Sequence, residues 1–292
     1  MQNISRKLEA FSPYFFLAPA LAGLLVFRLF PIANALVSSF QTTGFSGIGN
    51  VRWVGLENYK FLVQDPTFWQ SFKATLLFTL VINPVQICAA LILALLVNRD
   101  GKAINVFRTI FFMPVTVSTT VASVLWGLML NPNSGLINSM LAMVGISPQP
   151  FLTSSRQAMW SIVALTTWRA AGYWMIFILA GLQQVPTSVY EASTIDGANG
   201  LQTFRYITFP LLKRTLTFVV VADTSANFLL FVPMYLLTKG GPAMSTNVLM
   251  YEAFRNAFIY GDRGKACAIV VVILLLVLLT VGLEFRLLRS EQ

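Results

Sequence analysis

The chain's 292 residues are 56% apolar and only 11% charged, with a net charge of +9 and a mean hydropathy of +0.71. A soluble domain of this length needs far more charge on its surface, so the composition defines an integral membrane protein. Lys and Arg are scattered and form no basic stripe, so the excess positive charge reads as the flanks of membrane spans, and nucleic acid is excluded as a partner.

A bilayer core needs roughly 20 mainly apolar residues per helix. Six segments meet that requirement, at about 13–40, 74–97, 106–130, 158–182, 215–237 and 266–287. The predicted fold class is therefore an all-α integral membrane protein of six spans, read as one transmembrane domain over residues 1–292. Ala18-Pro19-Ala20 imitates a signal-peptidase site, but the apolar stretch runs on to Val37, so the first span is predicted to stay uncleaved. Pro19, Pro31, Pro84, Pro114 and Pro233 fall inside spans. Such breaks persist in lipid only where neighbouring helices or water satisfy the freed backbone groups, as around a central pathway or within a tightly packed bundle. Lys and Arg are slightly more frequent at the termini and in the loops near 98–108 and 185–214 than in the other three loops. The bias weakly favours cytoplasmic termini.

Between the fourth and fifth apolar stretches lies a polar island from Glu191 to Pro210. Ser188-x-x-Glu191 has the form of a capping box, with Pro186 just upstream where it interrupts nothing. Val189, Ala192 and Ile195 share one helical face, and Leu201, Phe204 and Ile207 form a second that runs to Pro210. Gly197 between them permits a backbone conformation that a side chain would obstruct. The prediction is an amphipathic helix-turn-helix in the cytoplasm. Its apolar stripe either seeks a partner's groove or packs on its own membrane domain.

The order of this island closely resembles the cytoplasmic loop of ABC-importer permeases, through which a separate ATPase grips the membrane subunit. That pattern is roughly Glu-Ala-Ala-x-x-Asp-Gly-Ala, followed by Phe-x-x-Ile-x-x-Pro. The matching positions are Glu191, Ala192, Asp196, Gly197, Ala198, Phe204, Ile207 and Pro210. Ser193 replaces the second Ala, and Arg214 stands where a second Pro often follows. Gly55-Leu56-Glu57-Asn58-Tyr59, Asp65-Pro66-x-Phe68-Trp69 and Thr238-Lys239-Gly240-Gly241-Pro242 look like elements of the carbohydrate branch, the maltose and glycerol-3-phosphate type. Lys239 departs from a Thr-Gly-Gly-Gly-Pro element characteristic of the first of two permeases. The resemblance implies a bacterial or archaeal cytoplasmic-membrane protein importing a sugar, oligosaccharide, polyol or glycerol-3-phosphate. It implies a heterodimer with a second homologous permease, two ATPase copies that hold ATP and Mg, and an extracytoplasmic sugar-binding protein.

The chemistry available to the chain agrees with a pathway rather than a catalyst. No histidine is present, and Cys88 and Cys267, the only cysteines, each lie inside an apolar run. That removes Ser-His triads, His-ligated metals, CxxC sites and a disulfide framework. No GxxxxGK[ST] loop occurs, so any driving nucleotide is held by another polypeptide. A sugar in a membrane pathway needs polar groups for its hydroxyls and flat apolar surfaces for its C–H faces. The spans offer Asn83, Gln86, Trp168, Arg169, Tyr173, Asp223, Asn227 and Phe228. Asp223 and Arg169 stand out because intramembrane charges are costly and face a cavity or a partner, and they are candidates to pair with each other. A secondary ion-coupled transporter is the alternative, but it needs intramembrane carboxylates, of which Asp223 is the clear one, and gives no reason for the polar island. A membrane-embedded enzyme lacks evident machinery.

Overall fold

The computed structural model describes residues 16–42 and 51–288. Residues 13–15 of the expected first span lie outside these. The chain forms two compact units, one of residues 1–65 and 253–272, the other of residues 66–252 and 273–292.

In the first unit, helix α1 (Phe16–Ser38) is exposed along most of its length. Its turn at Leu25–Leu29 is π-helical, and Pro31 follows two residues later. Proline has no N–H to give and crowds the carbonyl four residues back, and a widened turn just ahead of it relieves both. After α1 a short antiparallel ribbon pairs β1 (Gln41–Thr42) with β2 (Arg52–Trp53), Gln41 opposite Trp53. Helix α2 (Glu57–Gln64) ties this corner down. Buried Asn58 donates to the carbonyls of Ser39 and Gln41 at 2.8 and 2.9 Å, and Tyr59 OH lies 2.7 Å from Ser39 Oγ. The Phe40 ring stacks on Trp53, and Lys265 Nζ sits 3.6 Å above the Phe61 ring.

The second unit is built on α3 (Pro66–Val97), α7 (Ala158–Gln183) and α10 (Phe209–Phe228). Lipid tails offer no hydrophobic gain for helix association, so close contact of small residues does the work. Ala90 and Ala94 of α3 are fully buried among Met175, Ile178, Leu182, Leu212 and Val219. Gly172 lets α7 pass against the Phe111 backbone of α4 (Lys102–Phe112), and a side chain there would collide with the Phe111 carbonyl. Helix α5 (Thr119–Met129) begins at Ser118, whose hydroxyl caps the Val121 amide at 3.2 Å, and α6 (Leu136–Met143) follows. The polar island supplies α8 (Thr187–Ile195) and α9 (Gly200–Thr203). Beyond α10 come α11 (Leu249–Phe254) and α12 (Arg263–Leu288), of which residues from Ile273 onward belong to this unit.

Among the described residues, four helices are long and apolar enough to cross a membrane: Phe16–Ser38, Pro66–Val97, Ala158–Gln183 and Arg263–Arg286. Helix α3 is longer than the expected 74–97; at 32 residues it measures about 48 Å and outruns a hydrocarbon core of about 30 Å. Two expected spans take other forms. The stretch 106–130 is not one straight helix: Lys102–Thr116 and Thr119–Met129 meet at 96°. Pro114 sits in the 3-10 turn Met113–Thr116, after which Val117 is extended and the Ser118 cap opens a new helix. The stretch 215–237 does not continue as one helix either. Helix α10 ends at Phe228, and Pro233 leads into a separate π turn at Met234–Thr238. Lys213, Arg214 and Asp223 fall in every 18-residue stretch of α10, whereas each of the four clear spans has such a stretch with no more than two charged residues.

Candidate functional site

The polar island forms two helical limbs about a glycine, as its residue order predicts, but its caps are placed differently. Helix α8 begins after Pro186, and no side chain caps it. Ser188 therefore lies inside the first turn rather than ahead of it, and the capping box expected from Ser188 and Glu191 does not form. The box is at the second limb. Asn199 Oδ1 accepts from the Gln202 amide at 3.0 Å, and Gln202 Oε1 accepts from the Asn199 amide at 2.8 Å. Asn-x-x-Gln is an accepted variant of the motif, and the signal was in the sequence, overlooked in favour of the serine. Gly197 takes φ +74°, the left-handed conformation that ends a helix, while the amides of Gly197 and Ala198 close on the carbonyls of Thr194 and Ser193.

The second limb is not a free helix ending at Pro210. After α9 the chain makes a π turn over Phe204–Thr208 and runs directly into α10, with Pro210 near its start. As at Pro31, the proline follows the widened turn by two residues, so the limb is covalently and helically continuous with a core helix. Thr208 Oγ1 donates to Tyr190 OH at 3.3 Å, joining the two limbs. Ser193, the departure from the second Ala, is buried and donates to the Tyr190 carbonyl at 2.7 Å, so its hydroxyl is satisfied within its own helix.

What the loop presents outward is apolar at its tip. Ile195 is 86% exposed and Leu201 77% exposed. Glu191, Ala192, Asp196, Gly197 and Pro210 are also exposed, while Val189, Ala198, Phe204 and Ile207 are half-buried. A cleft of about 620 Å³ opens beside them, lined by Leu95, Tyr190, Thr194, Ala198, Leu201 and Phe204 among others.

A second cavity, of about 290 Å³, gathers five of the eight pathway candidates. Gln86, Arg169, Tyr173, Asp223 and Asn227 line it together with Thr166 and Trp174. Helix α3 supplies Gln86, α7 supplies Arg169 and Tyr173, and α10 supplies Asp223 and Asn227, which lie four residues apart on one face. The other three stand elsewhere. Asn83 is one bond behind the cavity, accepting from Asn227 Nδ2 at 2.8 Å. Trp168 packs on Trp126, ring centres 5.9 Å apart. Phe228 is buried in the core.

Asp223 and Arg169 do not form an ion pair. Trp174 Nε1 donates to Asp223 Oδ1 at 2.7 Å instead, and Asp223 Oδ2 is buried with no hydrogen-bond partner. Sequence reasoning passed over Trp174, Thr224 and Glu284. Thr224 Oγ1 donates to Glu284 Oε1 at 2.7 Å, so α12 contributes a second carboxylate beside α10. Glu284 lay inside an expected span, and its charge alone could have flagged it. The arrangement offers one guanidinium, one carboxylate, a phenol, an indole and two carboxamides around an open space. Such a set has the donors and acceptors to orient a polar molecule; among the described residues no cluster of metal-ligating side chains is present.

Residues 86–289 match the family described as the binding-protein-dependent transport system inner membrane component. The sn-glycerol-3-phosphate transport system permease protein of Agrobacterium fabrum is 34% identical over 275 residues, covering 94% of this chain and 93% of that protein. The arabinooligosaccharides transport system permease protein of Bacillus subtilis is 34% identical over 279 residues, covering 94% and 88%. In fold, the chain superposes on a chain of a bacterial ABC transporter that imports the acidic polysaccharide alginate, with a TM-score of 0.82 at 21% identity, covering 99% of both.

The chain belongs to the binding-protein-dependent transport system inner membrane component family. It is a multi-pass permease subunit of an ABC importer, not an enzyme, and ATP hydrolysis is the task of a separate subunit.

Proposed function

We propose that this permease carries a carbohydrate, a polyol or a phosphorylated polyol, and that the loop of residues 185–213 couples it to a partner ATPase. Relatives that transport sn-glycerol-3-phosphate and arabinooligosaccharides support the cargo class. The observation that carries the coupling role is the apolar tip of Ile195 and Leu201, held outward on either side of Gly197, with Leu201 on the limb continuous with α10. Large apolar side chains exposed beside a helical turn fit a partner's groove. Glu191, Ala192, Asp196, Gly197, Ala198, Phe204, Ile207 and Pro210 form that surface or hold its shape. Because the limb and α10 are one run of helix, a displacement of the loop reaches Asp223 and Asn227 without a flexible joint. Nucleotide binding at the ATPase then biases the pathway between two discrete arrangements.

In this reading, residues 1–292 form one six-span transmembrane domain. The bent pair around Pro114 serves as the third span and α10 with the turn after Pro233 as the fifth, so both termini are cytoplasmic. A second, different permease completes the pathway, two ATPase copies hold ATP and Mg, lipid surrounds the spans, and an extracytoplasmic binding protein delivers cargo. The cavity between Gln86, Arg169, Tyr173, Asp223 and Asn227 is this chain's share of the route.

Reconstitution tests the proposal. The chain is placed in vesicles with its second permease, ATPase and binding protein, and uptake of labelled sn-glycerol 3-phosphate, maltose and arabinotriose is measured. Uptake of at least one that requires ATP on the ATPase side and persists without ion gradients is the expected result. Uptake driven by a proton or sodium gradient with no ATP, or none of the three carried, would contradict it.

A further inference from the structure

Asn227 is the junction of a hydrogen-bond chain whose two ends are both acceptors. At one end the Glu284 carboxylate accepts from the Thr224 hydroxyl at 2.7 Å. A hydroxyl has a single hydrogen, so Thr224 accepts from its next neighbour, Asn83 Nδ2, also at 2.7 Å. Having turned its NH2 toward Thr224, Asn83 faces Asn227 with its carbonyl oxygen, 2.8 Å from Asn227 Nδ2. At the other end the Thr166 backbone carbonyl accepts from Gln86 Nε2 at 3.1 Å. That turns Gln86 Oε1 to the same Asn227 Nδ2, 2.9 Å away. Both hydrogens of the Asn227 amide are thereby engaged, and its carbonyl oxygen is left for whatever enters the cavity.

We propose that Glu284 is a positioning residue. Through Thr224 and Asn83 it fixes the direction of the bonds on its side of Asn227, as the Thr166 carbonyl does through Gln86 on the other, so that Asn227 offers cargo an acceptor and never a donor. The consequence for cargo rests on the cavity being the transport route; the direction of the bonds does not. Neither Glu284 nor Thr224 lines the cavity, so the control is exerted from behind. A hydroxyl of the cargo satisfies the Asn227 carbonyl, whereas a group that only accepts meets oxygen against oxygen.

The direction of the chain can be tested by reversing it. Asn227→Asp puts carboxylate oxygens against the oxygens of Asn83 and Gln86. Asn83 can relieve its half only by turning round, which requires Thr224 to give its hydrogen to Asn83 instead of to residue 284. The glutamate holds that hydrogen; a glutamine at 284, which can donate to Thr224, releases it, and Thr224→Val frees Asn83 while leaving the Glu284 charge in place. On the full-length chain purified in its complex, Glu284→Gln alone is expected to hold the melting temperature close to wild type. Asn227→Asp lowers it by about 5 °C or more, or prevents assembly. The pair Asn227→Asp with Glu284→Gln regains about half of that loss, or restores assembly, and adding Asn227→Asp to Thr224→Val lowers the melting temperature by about half as much as adding it to wild type. The inference is overturned if Gln fails to rescue, or if Gln rescues while the loss in the Thr224→Val background stays at its full size, since relief of charge repulsion would then explain the effect. If the cavity is the route, Arg169→Ala and Tyr173→Ala lower uptake, and failure of the rescue leaves that expectation untouched. Conversely, normal uptake by those variants removes the route while the rescue stands, so the two claims fail separately.

Discussion

Asp223 is held by the Trp174 indole N–H at 2.7 Å, and the substitution that separates its structural from its transport role is the choice between Asn and Ala. Asparagine keeps an acceptor for the indole; alanine strands a buried donor. A stranded donor costs about 1–3 kcal/mol, so Asp223→Ala is expected to lower the melting temperature of the complex while Asp223→Asn leaves it near wild type. Equal melting of the two variants would show that the indole bond contributes nothing. At this scale the sequence was informative about which residues are polar in an apolar stretch, but not about which of them meet. Asn83, Gln86, Asp223 and Asn227 were visible for that reason, and the structure joins three of them by bonds spanning more than 140 positions. The Arg169–Asp223 pairing failed because charge alone does not fix how two helices are rotated. Trp174 was missed because an aromatic in a span reads as packing until its N–H is seen to have a partner.

Helix ends and turns decided most of the differences at the scale of the element. The Asn199–Gln202 box closes the second limb of the loop, so Asn199→Ala is expected to cost about 1 kcal/mol there. Amide exchange of residues 200–204 should quicken by about fivefold, with α7 unchanged. No change would mean that the limb is held by other contacts. Lys239, the departure from a glycine in the segment before Gly240, takes φ +50°. That conformation costs an ordinary residue about 1–2 kcal/mol, part of which glycine returns as chain entropy. Lys239→Gly is expected to raise the melting temperature by about 2–4 °C; a fall would show that the lysine side chain makes a stabilising contact of its own. The prolines were legible as breaks but not as kinds of break. Pro31 and Pro210 each follow a π turn, Pro114 lies in a 3-10 turn at a corner, and Pro84 is carried inside α3. Which outcome follows depends on whether neighbouring helices accept the free carbonyl, and a single sequence does not contain that.

At the scale of the whole molecule, composition and one loop carried the reading. A chain so apolar and without a phosphate-binding loop leaves any ATP to another subunit, and membership of a binding-protein-dependent transport family agrees with that. Four spans were legible from apolar length alone. The third and fifth were not straight spans, because Pro114 and the polar cluster of α10 divide stretches that look continuous in hydropathy. We propose that the loop about Gly197 is where the ATPase takes hold. The most direct measurement co-expresses the chain with its ATPase and second permease, then compares detergent pull-downs of wild type, Glu191→Ala and Gly197→Trp. Retention of the ATPase by wild type, with its loss from both variants while the permease pair survives, is the predicted result. An ATPase that stays bound in every variant, with turnover still coupled to cargo, would contradict it.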